Sequence, residues 1–215
     1  MVVGLSRSPS DADEHEECDV ADRAAVEKVA ARVLARHPRI DLLVCNAGVR
    51  ARTSFLGDEP ERIERVMRVN YLGAVWTTRA FLPGLARGAH VANVVSVAGT
   101  VAYGPYSASK HAQLAFSRSL AVELAPRGVK VHTINPGFVE TPGFPQRGMQ
   151  LHGLAARVVV DPPLVAQRLL EAVERDRREL FVPRWYRPAA WLQALLPGTL
   201  ATARARTSRR RPRNP

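Results

Sequence analysis

A chain of 215 residues, 46% hydrophobic and 24% charged, is long enough to bury one core and ordinary enough to be a globular α/β domain. Its two cysteines, Cys18 and Cys45, stand in no CxxC or Cys/His cluster, and no run of eighteen apolar residues occurs, which argues against a zinc site and a membrane span. The net charge of +11 belongs to the tail, where 184–215 holds eight arginines and no acid; the preceding 183 residues carry only +3, so a nucleic-acid-binding domain is not indicated.

The opening Met1–Leu5 reads as a short buried strand ended by the Ser6–Ser10 turn cluster, and it lacks the long apolar core of a signal peptide, so a cytoplasmic protein is the default expectation. Acidic residues crowd Asp11 to Asp22. Val26, Val29, Ala30 and Val33 fall at helical spacing behind Asp22, a suitable N-cap, which predicts a helix over about 22–36. Asp41–Cys45 is a second apolar run, closed by Asn46-Ala47-Gly48. A helical region follows over about 60–85, with Pro60 in its first turn. Val91–Val97 predicts a third strand, Tyr106–Ala125 a long helix, and Lys130–Ile134 a strand stopped by Asn135-Pro136-Gly137. Pro162–Arg178 reads as a helix, Leu180–Val182 as a last strand, and 184–215 as a separate basic, aromatic-containing tail disordered at its end.

Strands alternating with helices predict an α/β fold with a doubly wound parallel sheet and ligands at the strand C-termini. Polar residues gather at those ends, among them Ser6-Arg7, Asn46, Ser96 and Asn135.

Tyr106-Ser-Ala-Ser-Lys110 is the chemical centre. Residues i and i+4 share a helix face, so the Lys110 ammonium can sit beside the Tyr106 phenol. A phenol of pKa about 10 is a poor base near neutrality. A neighbouring cation would lower it toward the range where general acid/base catalysis works. Ser96, at the end of the preceding strand, can offer its hydroxyl to a substrate oxygen. Taken alone, a Tyr-x-x-x-Lys pair is more often an ordinary surface pair; the joint order of Asn46-Ala47-Gly48, Asn70, Ser96, Tyr106, Lys110 and Asn135-Pro136-Gly137 is what chance does not readily produce.

With those segments in view, residues 1–183 resemble the short-chain dehydrogenase/reductase family, through CDV (18–20), NAG (46–48), VNYLG (69–73), VSVAG (95–99), YSASK (106–110) and NPGFVETP (135–142). The resemblance implies a Rossmann-like sheet and hydride transfer between a nicotinamide cofactor and a secondary alcohol or ketone. It implies that Tyr106 is the acid/base, that Ser96 donates to the substrate oxygen, and that Lys110 lowers the tyrosine pKa and holds the nicotinamide ribose. Asn70 would position a water linking Lys110 to solvent. Asp19 and Val20 would flank the adenine; Asn46, Ala47 and Gly48 would support the cofactor's middle; Pro136, Gly137, Val139 and Thr141 would border the nicotinamide. Leu5-Ser6-Arg7 offers no acid for a ribose hydroxyl, whereas the Arg7 guanidinium suits a 2′-phosphate, so NADP(H) is favoured over NAD. Relatives form dimers or tetramers, and the resemblance carries that expectation over.

The chain departs from the family in three places. No T-G-x-x-x-G-x-G or G-x-G-x-x-G occurs, and Met1–Gly4 aligns with the family's second strand, so about thirty residues, its first strand and first helix, are absent. The sheet is then expected to be incomplete, with nothing linking the strand at 2–5 to that at 41–45. The expectation is a start upstream of Met1; the alternative is a genuine truncation. Ser96 and Tyr106 are ten residues apart where relatives have twelve or thirteen, which would reshape the substrate mouth. Val95 replaces a first serine with no chemical consequence.

Phe144, Met149, Leu151 and Leu154 suggest a small apolar alcohol or ketone as substrate, although ordinary packing explains them equally well. Trp185, Tyr186, Trp191, Leu192, Leu195 and Leu196, interleaved with Arg184 and Arg187, suit packing against the substrate pocket or a sister subunit, which is favoured, over weak contact with an anionic membrane surface. Three classes of function stay open: an active oxidoreductase, a catalytically inactive binding or assembly partner, and a peripheral membrane protein.

Overall fold

The computed structural model describes residues 1–51, 54–101, 103–141, 158–199 and 202. Within them six parallel strands form two separate sheets. One pairs β1 (Val3–Ser6) with β2 (Glu14–Glu17); the other has the order β3 (Leu42–Cys45), β4 (His90–Val94), β5 (Lys130–Pro136), β6 (Glu179–Val182). β1 and β3 are not hydrogen-bonded to one another.

Local chemistry explains most boundaries. Asp22 caps α1 (Arg23–Arg36) by accepting from the Ala24 and Ala25 amides at 2.9 and 3.2 Å. The helix buries Val26, Val29, Ala30 and Val33, the stripe expected from the 3.6-residue period. Pro60 opens α2 (Pro60–Met67), which passes through a π-helical turn at Arg68–Leu72 into α3 (Gly73–Phe81). After a short α4 (Ala98–Val101), Gly104 at φ +99° makes a turn that L side chains rarely adopt, and Pro105 starts α5 (Pro105–Leu124). Thus the connection between Ser96 and Tyr106 closes despite its shortness.

Two expectations change. The acidic segment before Asp22 contains β2, a strand with no apolar residue. Its Glu14 and Glu16 are gripped by α1: Arg32 reaches Glu16 at 2.6 Å, Arg36 reaches Glu16 and Glu14 at 2.7 and 3.0 Å, and His37 reaches Glu14 at 2.8 Å. Those partners arrive 16 to 23 residues later, which is why hydrophobic alternation gives no sign of the strand. Asn135 and Pro136, read as a stop, lie inside β5, which pairs both of them with β6.

The larger sheet is covered on both faces. On one, α6 (Pro162–Glu174) packs Val165, Leu169 and Ala172 against Ala92, Ile134 and Leu180. On the other, Leu120 and Leu124 of α5 pack against Val91 and Val131. α1 and α3 form a third cluster that touches β1 through Val3 and Leu5 and β3 through Leu43. One helical layer therefore spans both sheets. α7 (Tyr186–Leu195) lies beyond the boundary drawn at 183 and buries Tyr186 and Ala190 with Val97 and Phe181.

Candidate active site

Between β1 and β3 lies a cavity of about 850 Å³. Its walls include the apolar Val3, Leu5, Val33, Leu43 and Phe81, while Ser6, Arg7, Asp19, Val20, Asn46, Ala47 and Gly48 also line it. All seven expected cofactor contacts from the first half of the chain thus border one space.

Each is set by its neighbours. Ser6 ends β1 and its hydroxyl meets His15 at 3.0 Å, while Arg7 is exposed. Asp19 is held by the Ala21 amide at 2.9 Å and by Arg65 at 2.8 Å. Burial pushes its carboxyl up, but those hydrogen bonds, with the charges of Arg65 and Arg7, leave its pKa below the usual value. Val20 rests where a Cβ on Gly73 would come within 2.9 Å, so the glycine lets α3 start against it.

Asn70 sits in the π-helical turn, fully buried, a kind of local widening that often accompanies function. Its amide donates to the Val49 carbonyl at 3.0 Å and to Ser109 Oγ at 2.9 Å, and its oxygen accepts from the Val49 amide at 2.7 Å. It thereby clamps the loop that carries Asn46-Ala47-Gly48. A Cβ on Gly48 would lie 3.5 Å from Asn70 Oδ1 and 3.8 Å from Lys110 Nζ, so this loop, Asn70 and Lys110 meet at one point.

Lys110 is buried and its Nζ donates to the Val94 carbonyl at 3.1 Å and to Gln113 Oε1 at 2.8 Å. Loss of water pulls its pKa down to about 7. Ser96 stands close enough to Tyr106 for its hydroxyl to favour the phenolate. Ser96 Oγ also accepts from the Ala98 amide at 3.1 Å and lies 3.4 Å from the Pro136 carbonyl.

One expectation is corrected here. Lys110 was expected to lower the Tyr106 pKa. Instead, burial raises the phenol above its ordinary value, and Ser96 offsets this only partly. The ammonium, 6.0 Å from the centre of the Tyr106 ring, is bound to Val94 and Gln113. Tyr106 therefore rests as a neutral phenol.

Pro136 and Gly137 leave the end of β5, and a Cβ on Gly137 would fall 2.2 Å from the ring of Tyr186 in α7. Val139 bridges to Val160, whose amide donates to Phe138 at 2.9 Å, and Thr141 is half-buried beyond it. Phe144, Met149, Leu151 and Leu154 lie outside the described residues. Reading the residues in order gave no role to Gln113 or to Ser109, and named Tyr186 in a packing segment without its partner. Gln113 falls three positions after Lys110 on the same helix and was findable; Tyr186 reaches Gly137 only through tertiary packing.

A family model described as short chain dehydrogenase matches residues 6–150. "Dehydrogenase/reductase SDR family member 7B" of Bos taurus is 30% identical over 228 residues, covering 97% of this chain and 70% of its own. The Xenopus laevis protein of the same name is 34% identical over 181 residues, and the chain spans 54% of its length while 76% of this chain is covered. "Estradiol 17-beta-dehydrogenase 11" of Homo sapiens is 30% identical, covering 83% of this chain and 61% of its own. Among solved structures, a short chain dehydrogenase from Burkholderia cenocepacia in complex with NADP superposes with a TM-score of 0.74 at 26% identity, covering 88% of this chain and 77% of that one. A short-chain dehydrogenase from Streptomyces avermitilis gives 0.73 at 26% identity, covering 94% and 88%. A match over well over half the sequence, joined to this likeness of fold, means that the chain belongs to the short-chain dehydrogenase/reductase family.

Proposed function

We propose that this chain carries the catalytic machinery of an NADP(H)-dependent oxidoreductase that interconverts a secondary alcohol and a ketone. The observation that supports it most is the meeting of Ser96, just past the end of β4, with Tyr106 and a buried Lys110 on α5, where Ser96 acts on the Tyr106 phenol and Lys110 is held by the Val94 carbonyl.

The cavity between β1 and β3 would take the adenine end and the middle of a dinucleotide, and the nicotinamide end would lie beyond it. Arg7 would meet a 2′-phosphate, Asp19 and Val20 would flank the adenine, Lys110 would hold the nicotinamide ribose, and Pro136, Gly137, Val139 and Thr141 would border the nicotinamide. Asn46, Ala47 and Gly48 would support the middle, but no glycine-rich phosphate turn occurs in the 215 residues. When bound, the cofactor supplies or accepts a hydride.

The side chains handle the proton and the substrate oxygen. Ser96 Oγ hydrogen-bonds the carbonyl oxygen and orients it toward Tyr106. The raised phenol pKa keeps Tyr106 protonated near neutrality, so in the reductive direction it is ready to donate from Oη to that oxygen. Lys110, near neutrality in its own titration, sits where added negative charge would draw it to the ammonium form.

The test measures nucleotide binding and ketone reduction by the purified chain, with and without a synthetic N-terminal extension carrying a strand, a glycine-rich turn and a helix. Tighter binding of NADPH than NADH, with the difference erased by Arg7→Glu, is expected. Tyr106→Phe should cut turnover by about 10²–10⁴ while binding persists. Equal activity of Tyr106→Phe would sink the assignment of the acid.

A further inference from the structure

α7 presents two different faces. Its inner face sets Tyr186 over Gly137 and buries Ala190 one turn later against Val97 and Phe181. Its outer face carries Trp191, Leu192 and Leu195, positions that helical spacing places on one stripe, and Leu196 follows at the C-cap. Trp191 is 57% exposed and Leu195 78%, and Trp185 adds another open aromatic at the helix start. The charged residue within α7 is Arg187, whose guanidinium lies 4.7 Å from the centre of the Trp191 ring. From Arg184 to the end of the sequence there are eight arginines and no acid.

We propose that the outer face of α7 docks on an anionic phospholipid membrane. Tryptophan and leucine side chains enter the boundary between headgroups and acyl chains, and the arginines pair with lipid phosphates and carboxylates. A second copy is the weaker occupant, because a two-fold contact sets the same patch against itself and would oppose arginine with arginine. A nucleic acid would pair the arginines but leave the leucine stripe in water. No helix among the described residues is long and apolar enough to cross a membrane, so the contact is with its surface. α7 packs on α4, within the connection between Ser96 and Tyr106, so docking brings the bilayer beside the proposed substrate mouth. The membrane contact itself stands whether or not the chain is catalytically active.

The experiment sediments the full 215-residue chain with vesicles of phosphatidylcholine alone or with about 30 mol% phosphatidylserine, and reads tryptophan quenching by brominated acyl chains. Partitioning about tenfold or more in favour of the anionic vesicles is expected, with quenching and a steep loss at high salt. The double variant Trp191→Ser/Leu195→Ser should lose about tenfold with its thermal melting unchanged, whereas Leu170→Ser, an exposed leucine on α6, should bind as the parent does. Equal partitioning on both vesicle types overturns the proposal. So does unimpaired binding by the double variant, which would make the contact purely electrostatic. A lipid-independent dimer abolished by the same double variant, with no vesicle binding, overturns it in favour of a second copy.

Discussion

Lys110 is a buried ammonium whose two hydrogen-bond partners, the Val94 carbonyl and Gln113 Oε1, are both neutral. With no carboxylate to offset the loss of water, its pKa falls from 10.5 to about 7. Between those values the unfolded chain binds more protons than the folded one. Stability from this group is therefore complete above about 10.5 and is lost as pH falls toward 7. Urea unfolding at pH 7 and pH 9.5 should show the parent gaining roughly 2–3 kcal/mol relative to Lys110→Met over that interval. Parallel profiles would mean that the ammonium is not desolvated in the folded protein. The pairing of Tyr106 with Lys110 was legible in sequence because i and i+4 share a helix face. The resting pKa of the tyrosine was not, because burial and the direction of the lysine's hydrogen bonds depend on Ser96, Val94 and Gln113 together.

At the scale of elements, the helices were readable and the exceptions are informative. α1 announces itself by its apolar stripe and its Asp22 cap, while β2 is a strand made of charge, fixed by the arginines of that same helix. The π-helical turn at Arg68–Leu72 has no marker in residue order, yet it surrounds Asn70, whose side chain then reaches both backbone groups of Val49. The junction of β5 with α7 depends on a missing side chain. Gly137 has no positive φ; what demands glycine is the Tyr186 ring, which leaves no room for a Cβ. Gly137→Ala should cost about 1–3 kcal/mol in chemical denaturation, and much of that should disappear in the background Tyr186→Ala. Additive losses would show that the two residues do not press on each other.

For the whole molecule, the division into two sheets matters most. β3 is apolar at all four positions, the composition of a strand covered on both faces, yet Val44 is 41% exposed beside the cavity. β1 and β2 form a two-stranded sheet, an arrangement of marginal stability by itself, tied to the rest through α1 and α3. Native-state hydrogen exchange should find the amides of β1 and β2 opening well before those of β4 and β5, which sit between paired neighbours and two helical layers. Equal protection across both sheets would mean that the helical layer alone makes them one cooperative unit.

By itself, the sequence determined the alternation of strands and helices, the family, and the order of Asn70, Ser96, Tyr106 and Lys110, since these follow from local periodicity and from residue types at fixed spacing. The tertiary structure decided what no short window contains. It set Tyr186 on Gly137, tied Asn70 to the loop at Val49, made a strand of Glu14–Glu17, and left the apolar stripe of α7 facing outward. Each of these rests on side chains that meet across long stretches of chain, and their energies depend on burial and partners that only the packed molecule supplies.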